Sequence, residues 1–360
     1  MDTARERTLR GSATSFASGY DVALLDLDGV VYLGRVAVPG APEALAQARE
    51  QGMRLAFVTN NAARTPDEIS RQLRELGVPA QPWEVITSSQ AAAHYLAERL
   101  PTGARVLVVG TDGLIEALRE RDLVPVFSAD DEPAAVVQGY SPDTNWRMLA
   151  EGAVAIGRGV LWVATNVDAT LPSARGPLPG NGSLVAALRH ATGATPVVTG
   201  KPEPTMHRET VERSGARHPI VVGDRLDTDV EGARAVGCPS LLVLSGVTTP
   251  ALLLEAPEHL RPDYLAADLG GLLLVHAEPI VDGTEVRCGA WSATRGGRGY
   301  TLRAMAPSTG PSTADELDAL RALCAAAWST SGGPGAVTVQ AADADAEATL
   351  ARLRLGRPVE

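Results

Sequence analysis

Short apolar runs alternate with helical segments through most of the chain, and this alternation constrains the fold more than any other feature. The run Val22–Leu27 has the pattern of a strand buried on both faces, and Arg54–Thr59 is a second one. Further strands are predicted at 105–109, 134–138, 160–165, 219–222 and 240–244, with helices between them. Strands and helices that alternate in this way form a parallel, doubly wound sheet. The sequence therefore predicts an α/β fold with a Rossmann-like core.

The predicted elements also divide the chain into regions. About 140 residues separate Thr59 from Lys201, which is too long for one crossover connection, so an additional α/β domain is inserted there. After Pro279 the sequence becomes rich in Gly, Ser and Thr, with two amphipathic stretches that predict helices. We expect a flexible tail over 1–20, a core formed by 21–88 and 181–277, an inserted domain over 89–180, and a small α+β region over 278–360. Helices are predicted at 181–192 and 228–236, the last core helix at about 267–275, and the two C-terminal helices at 314–327 and 342–355.

Composition narrows the class of protein. The net charge of −11 disfavours nucleic acid and anionic membranes as main partners, and we expect neither. No apolar run approaches the length of a membrane span, and the first 19 residues lack the apolar segment of a signal peptide. Three widely spaced cysteines fit neither a disulfide framework nor a zinc site. A cytoplasmic protein is expected.

Polar residues follow several of the predicted strands, where open α/β sheets bind their ligands. Asp26 and Asp28 come at the end of the first strand, and Thr59 ends the second. The only lysine of the chain, Lys201, precedes a predicted helix, although 31 arginines show that the chain otherwise uses Arg for its cations. The strand ending at Val222 is followed by Gly-Asp-Arg-Leu-Asp-Thr-Asp over 223–229.

This ordered set resembles the haloacid dehalogenase superfamily of phosphohydrolases, over residues 21 to about 275. The inserted domain resembles the C2 type of cap in that superfamily. The sequence Thr59-Asn60-Asn61 is similar to the subfamily that includes nucleotide phosphatases and phosphoglycolate or glycerol-phosphate phosphatases. The C-terminal region resembles the truncated acetyltransferase-like region of some bacterial glycerol-3-phosphate phosphatases. The resemblance implies a phosphomonoesterase whose substrate is a small phosphorylated metabolite.

The resemblance also implies a role for each motif residue. Asp26 would be the nucleophile that forms an aspartyl-phosphate, which divides a slow displacement into two steps. Asp28 would protonate the leaving alkoxide and then deprotonate the attacking water. Thr59, Asn60 and Lys201 would bind the phosphate, whose non-bridging oxygens carry the transition-state charge.

A Mg²⁺ cofactor is implied by the same comparison. Mg²⁺ prefers oxygen ligands in an octahedral arrangement and keeps several waters. Its implied protein ligands are the carboxylates of Asp26 and Asp224 and the backbone carbonyl of Asp28. Asp229 would orient Asp224 or a water on the metal. For Asp227, a helix N-cap is the better expectation.

The inserted domain offers candidate contacts to the rest of the substrate. Asn166 and Asp168 follow a predicted strand and, by resemblance, would lie close to the substrate; an ordinary turn explains the two residues equally well. Amide and carboxylate groups suit the hydroxyls of a polyol, and no aromatic shelf for a nucleobase lies nearby. The best expectation is therefore glycerol 3-phosphate, with phosphoglycolate, a sugar phosphate or a nucleotide as alternatives.

Other functions remain open at this point. A phosphomutase would also keep Asp28, a receiver-like switch would also use Asp, Thr and Lys with Mg²⁺, and a scaffold protein could be built around the C-terminal region. Gly297-Arg298-Gly299 suggests a pyrophosphate loop, but Thr294 stands where an acetyl-CoA site needs Gln or Arg. We therefore expect the C-terminal region to be a packing element or the contact of a homodimer, and not an acetyltransferase.

Overall fold

The computed structural model describes residues 8–171, 175–296, 299–305, 313–329 and 337–355. It divides into two compact units, one formed by Met1–Leu55 with Ala216–Glu360 and one formed by Ala56–Gly215. Gly297 and Arg298, which suggested a pyrophosphate loop, lie outside the described residues. Nowhere in the described ranges does a helix have the length and apolar character needed to cross a membrane.

The elements are numbered along the chain. The strands of the described residues are β1 Val22–Leu25, β2 Tyr32–Leu33, β3 Val36–Ala37, β4 Arg54–Thr59, β5 Val85–Thr87, β6 Arg105–Val109, β7 Val124–Val126, β8 Ala135–Gln138, β9 Leu161–Ala164, β10 Thr170–Leu171, β11 Leu178–Pro179, β12 Val197–Val198, β13 Pro219–Gly223, β14 Ser240–Val243, β15 Tyr264–Ala266, β16 Ile280–Asp282, β17 Glu285–Cys288, β18 Trp291–Gly296, β19 Gly299–Ala304 and β20 Thr338–Ala341.

The α-helices of the same residues are α1 Phe16–Gly19, α2 Ala41–Glu50, α3 Pro66–Glu75, α4 Ser88–Ala97, α5 Asp112–Arg119, α6 Trp146–Gly157, α7 Asn181–Thr192, α8 Pro204–Ser214, α9 Glu231–Ala235, α10 Pro250–Leu254, α11 Thr313–Trp328 and α12 Ala344–Arg352. Short 3-10 turns lie at Pro82–Glu84, Ala129–Asp131, Glu258–Leu260 and Leu269–Leu273, and a π-helical turn lies at Leu226–Val230.

The first unit contains the predicted parallel core. Strands β1, β13, β14 and β15 pair in parallel, in the order β15-β14-β13-β1. Every residue of β1, β14 and β15 is buried, as expected for strands covered on both faces. Asp26 directly follows β1, and Asp224 directly follows β13. Parallel pairing of adjacent strands brings both aspartates to the same edge of the sheet.

The second unit contains its own sheet, which is parallel throughout and has the order β12-β9-β8-β6-β7. Apolar residues of α4 and α5 cover one face, and those of α6 and α7 cover the other. The predicted boundary at residue 180 is too early, because α7 packs on this sheet and β12 pairs with β9. The helix itself was predicted correctly at 181–192, but a sequence pattern does not show which of two sheets a helix covers.

The C-terminal region forms a five-stranded sheet in the order β16-β17-β18-β19-β20, antiparallel except for the last pair. Helix α11 is buried along most of its described length, and its residues share one apolar cluster with the core residues Leu242, Leu253 and Leu265. The two predicted C-terminal helices correspond to α11 and α12. This region is therefore packed into the first unit and is not a separate appendage with its own core.

Three local predictions are wrong. Residues 8–20 are not a flexible tail, because Leu9 and Phe16 are buried and the Phe16 ring packs against Tyr264 and His276. The helix predicted at 267–275 is a 3-10 turn, since Gly270 and Gly271 lie in its centre and glycine disfavours helix. The helix predicted from Thr228 is preceded by a π-helical turn and begins at Glu231.

Candidate active site

Three aspartates form an acidic group in the first unit. One carboxylate oxygen from each of Asp26, Asp224 and Asp229 lies within 4.8 Å of the others. Asp224 and Asp229 are buried, and Asp26 is partly buried. Like charges at this separation repel strongly, so the arrangement favours a bound cation. Several carboxylate oxygens without nitrogen or sulfur are the ligands that Mg²⁺ prefers, and the group therefore fits the expected cofactor.

The carboxylate of Asp224 is held by the loop that follows β14. Its Oδ2 atom accepts a hydrogen bond from the backbone N–H of Val247 at 2.6 Å. A Cβ atom at Gly246 would lie 2.0 Å from this oxygen, and one at Gly29 would lie 2.5 Å from it. The hydroxyl of Ser245 donates to the Gly29 carbonyl at 2.7 Å, which joins the loop to the end of β1. Both glycines are thus required by the approach of this carboxylate.

The role of the 245–247 loop was missed in the sequence. A signal was present, because Ser-Gly-Val follows a buried strand at the same edge where Asp26 and Asp224 follow theirs. A backbone N–H as hydrogen-bond donor leaves no mark on residue identity, however, and only Gly246 could have pointed to it.

Asp229 lies in the π-helical turn, where its Oδ2 accepts from the backbone N–H of Arg225 at 3.2 Å. A Cβ at Gly223 would lie 2.2 Å from the Asp229 side chain, so glycine is needed there as well. Asp227 is exposed and forms a two-pronged ion pair with the Arg225 guanidinium. The prediction that Asp227 is a helix N-cap is wrong, because no helix begins at that position in the described chain.

Asp28 lies two residues beyond Asp26 and is exposed. Next to it, the N–H of Gly29, whose φ is +86°, donates to the carbonyl of Tyr32 at 2.8 Å and turns the chain sharply. Within the described residues, the acidic group does not include the Asp28 carboxylate. Asp28 therefore lies next to the acidic group in the chain without belonging to it.

The remaining predicted site residues lie in the second unit, where Asn60 connects them. Its Oδ1 atom accepts from the backbone N–H of Lys201 at 2.8 Å, and its Nδ2 donates to the Lys201 carbonyl at 3.1 Å. The same Nδ2 also donates to the two carboxylate oxygens of Asp168, at 3.2 and 3.4 Å. The backbone carbonyl of Asn60 accepts from Nδ2 of Asn166 at 2.7 Å.

The segment containing Asn166 and Asp168 is ordered by its own hydrogen bonds. Oδ1 of Asn166 accepts from the Asp168 N–H at 3.2 Å, which closes a short turn. Nδ2 of Asn181, at the first residue of α7, donates to the Asn166 carbonyl at 2.7 Å. Asn166 and Asp168 thus form an ordinary turn, and the same turn is hydrogen-bonded to Asn60.

Thr59 and Lys201 are both buried, with the Lys201 side chain only 3% exposed. The hydroxyl of Thr59 accepts from the backbone N–H of Asn61 at 3.1 Å, and Nζ of Lys201 lies 3.4 Å from the Val58 carbonyl. His207, on α8, is fully buried, and burial together with the positive charge of Lys201 lowers its pKa to about 3. The imidazole is therefore neutral beside the ammonium at ordinary pH.

Comparison with known proteins identifies the family. Residues 23–124 match a family described as haloacid dehalogenase-like hydrolase. Residues 198–272 match a second family of the same kind of hydrolase. The chain is 45% identical over 347 residues to the D-glycerol 3-phosphate phosphatase of Mycobacterium tuberculosis, covering 95% of this chain and 96% of that protein.

The chain belongs to the haloacid dehalogenase-like hydrolases.

Solved structures agree with this assignment of the hydrolase. The crystal structure of glycerol phosphate phosphatase from Mycobacterium tuberculosis in complex with magnesium matches it with a TM-score of 0.85 and 44% identity, over 95% of this chain and all of the other. The p-nitrophenyl phosphatase from Archaeoglobus fulgidus matches with a TM-score of 0.66 and 33% identity, over 71% of this chain and 98% of the other. The Rossmann-like α/β core predicted for the hydrolase is thereby confirmed.

Residues 288–355 of the hydrolase match a third family, described as a GCN5-related N-acetyltransferase like domain. The resemblance of the C-terminal region to an acetyltransferase-like domain is confirmed by this match. Trp291, Leu302 and the apolar residues of α11 between Leu317 and Trp328 belong to the apolar cluster shared with the core.

Proposed function

We propose that this phosphatase hydrolyses glycerol 3-phosphate to glycerol and phosphate, with Asp26 as nucleophile and Mg²⁺ as cofactor. The observation that carries the proposal is the acidic group of Asp26, Asp224 and Asp229 at one edge of the parallel core. The substrate is suggested by the name of the Mycobacterium tuberculosis relative, to which the chain is similar over nearly its whole length.

The proposed chemistry has two steps. In the first, a carboxylate oxygen of Asp26 forms a bond to phosphorus while the bond from phosphorus to the glycerol oxygen breaks, and Asp28 gives its proton to that oxygen. In the second, Asp28 takes a proton from a water whose oxygen attacks phosphorus. The bond between Asp26 and phosphorus then breaks, which releases phosphate and restores both carboxyl groups. The exposed position of Asp28, two residues after Asp26, supports its role in both proton transfers.

Lys201 and Thr59 are proposed to bind the non-bridging oxygens of the phosphoryl group. Charge spreads over these oxygens in the transition state, and fixed donors in a water-poor site stabilise it more strongly than water does. The near-complete burial of Lys201 and Thr59 supports this role, since a buried ammonium interacts more strongly with an anion than an exposed one.

The carboxylates of Asp26 and Asp224 and the backbone carbonyl of Asp28 are proposed to hold the metal, and Asp229, in the same acidic group, is proposed to support them. When bound, Mg²⁺ supplies positive charge that reduces the repulsion among the carboxylates and toward the substrate phosphate. The hydrogen bonds from Val247 to Asp224 and from Arg225 to Asp229 hold those two carboxylates in place without the metal.

The cytoplasm is the proposed location. Cys238, Cys288 and Cys324 are all free thiols, and burial raises the pKa of each. Free cysteines persist where the surroundings are reducing.

The test is phosphate release from a panel of phosphorylated metabolites with Mg²⁺ present. Glycerol 3-phosphate should give a higher kcat/KM than 2-phosphoglycolate, a hexose phosphate or a pyrimidine nucleoside monophosphate. A clearly higher kcat/KM for another compound would identify that compound as the better substrate without contradicting the proposed chemistry. Transfer of the phosphoryl group back to the substrate, with no phosphate released, would indicate a mutase instead.

A further inference from the structure

Asn60 was expected to contact the phosphate, but its side chain faces protein groups. The amide pairs with both backbone groups of Lys201, accepting from its N–H and donating to its carbonyl. This double contact fixes the orientation of the amide, because an exchange of its oxygen and nitrogen would place donor against donor and acceptor against acceptor. An asparagine that pairs in this way holds its partner's backbone as an adjacent strand would.

The position of Lys201 is restricted further by the residue before it. A Cβ atom at Gly200 would lie 2.2 Å from the Thr165 carbonyl oxygen and 2.7 Å from Oδ1 of Asn60. The backbone here is therefore in close contact with Asn60 and with the segment that leads to Asp168. Because the approach is this close, a displacement of that segment would also displace the backbone at Lys201.

Asp168 completes the arrangement. Its carboxylate accepts from the same Nδ2 of Asn60 that donates to the Lys201 carbonyl. A charged acceptor makes a stronger hydrogen bond than a neutral one, so it anchors the amide in the rotamer that Lys201 needs. The N–H of Gly182 donates to the Asp168 carbonyl at 2.9 Å, which fixes the residue against the start of α7.

We propose that Asn60 and Asp168 are positioning residues for Lys201: Asp168 orients the Asn60 amide, and that amide sets the backbone from which the Lys201 ammonium reaches the phosphate. The inference rests on the proposed role of Lys201. It replaces the expectation that Asn60 binds phosphate and that Asp168 binds hydroxyls of the substrate.

The two roles of Asp168 differ in how they depend on the leaving group. A residue that binds glycerol hydroxyls affects glycerol 3-phosphate but has no effect on p-nitrophenyl phosphate, whose leaving group has no such hydroxyls. A residue that positions Lys201 affects both substrates equally, because both carry the same phosphoryl group. Removing such a residue also weakens the binding of inorganic phosphate as a competitive inhibitor.

The experiment therefore compares the wild type with Asp168→Ala and Asp168→Asn on both substrates. Misplacing a catalytic group by about 1 Å can cost up to ~100-fold, so for Asp168→Ala we expect a loss of about tenfold or more in kcat/KM. The loss should be the same for the two substrates, within about twofold, and the phosphate inhibition constant should rise by a similar factor. Asp168→Asn should retain more activity than Asp168→Ala, because an amide oxygen still accepts from Asn60. Ser183→Ala, which removes an exposed hydrogen bond to the neighbouring Ala169 carbonyl, is the matched control and should behave as wild type.

Asn60→Asp provides a second test that keeps the size of the side chain. The new side chain retains the acceptor for the Lys201 N–H, but it lacks the donor that serves both the Lys201 carbonyl and Asp168. We therefore expect a large loss of kcat/KM that is equal for the two substrates. Adding Asp168→Asn to Asn60→Asp supplies an amide that donates to the new carboxylate, so kcat/KM should rise at least threefold above that of Asn60→Asp.

A loss confined to glycerol 3-phosphate, no loss in either single variant, or no recovery in the double variant would overturn the proposal. If instead the wild type releases no phosphate from either ester, the proposed function itself fails.

Discussion

The Asp224 carboxylate accepts a hydrogen bond from the backbone N–H of Val247 at 2.6 Å. The preceding residue, Gly246, lies so close to this carboxylate that no side chain fits there. Asp224 follows β13 and Val247 follows β14, so two neighbouring strands of the core together position one proposed metal ligand. The precision of the acidic group therefore depends on backbone contacts as much as on the aspartates themselves.

Gly246→Ala should weaken metal binding. The added Cβ would lie 2.0 Å from Oδ2 of Asp224, so the carboxylate has to move. We expect the Mg²⁺ concentration for half-maximal activity to rise about tenfold or more, since disturbing the support of a metal ligand costs ~10- to 100-fold in metal affinity. A calorimetric titration with Mg²⁺ alone checks the same shift. Gly157→Ala, where a Cβ meets no atom within 4 Å, is the control; equal behaviour of the two variants would count against the close-approach argument.

Lys201→Arg should reduce kcat/KM at least tenfold although the charge is kept. The Lys201 side chain is nearly fully buried, and a guanidinium is larger and requires a planar set of acceptors. Arg208→Lys on the exposed face of α8 makes the reverse exchange and should leave the kinetics unchanged. Wild-type kinetics in Lys201→Arg would mean that the single lysine is there by chance.

Acid should destabilise the protein partly through His207. Its pKa is lowered from 6.5 to about 3 in the folded state, first by burial and then by the charge of Lys201. The unfolded chain binds a proton below pH 6.5 while the folded protein does not, so this contribution to stability is present above pH 6.5 and is lost as the pH falls toward 3. Urea unfolding at pH 7.5 and pH 5 should show a smaller loss of unfolding free energy for His207→Leu than for the wild type. His190→Gln, at an exposed site, should lose as much stability as the wild type does; an equal loss in all three proteins would refute this role of His207.

The C-terminal region should matter for stability and not for the chemical step. Leu323→Ala in α11 removes a fully buried side chain from the cluster shared with the core, which should cost about 2–5 kcal/mol. At a temperature where the variant is still folded, kcat/KM should be unchanged. Leu252→Ala removes a side chain that is 53% exposed and should cost under about 0.5 kcal/mol. A loss of kcat/KM in folded Leu323→Ala would require a direct role for this region in catalysis.

The sequence was sufficient for the core and for the acidic group because both follow from local patterns. Buried strands are short apolar runs, and Asp26, Asp224 and Asp229 stand at or just beyond the ends of two of them. It was not sufficient where a partner is distant in the chain. The pairing of β12 with β9 and the packing of Phe16 on Tyr264 leave no periodic signal.

Asn60 shows the same limit within the site. The motif drew attention to the residue, but the residue type does not reveal whether an amide faces a ligand or a neighbouring backbone. That distinction depends on Lys201, which is about 140 positions away in the sequence and is joined to Asn60 by two hydrogen bonds. Roles carried by backbone groups, such as the N–H of Val247, are hidden for a related reason, since every residue except proline has the same N–H.

The central claim is that Asp26 attacks the phosphorus of a small phosphate ester. The most direct measurement follows phosphate release from glycerol 3-phosphate with Mg²⁺ in the wild type and in Asp26→Asn, with circular dichroism to verify that both are folded. We predict that the wild type releases glycerol and phosphate in equal amounts. Asp26→Asn should release essentially none, because the amide is too weak a nucleophile to replace the carboxylate. Turnover by folded Asp26→Asn at a rate near that of the wild type would contradict the account.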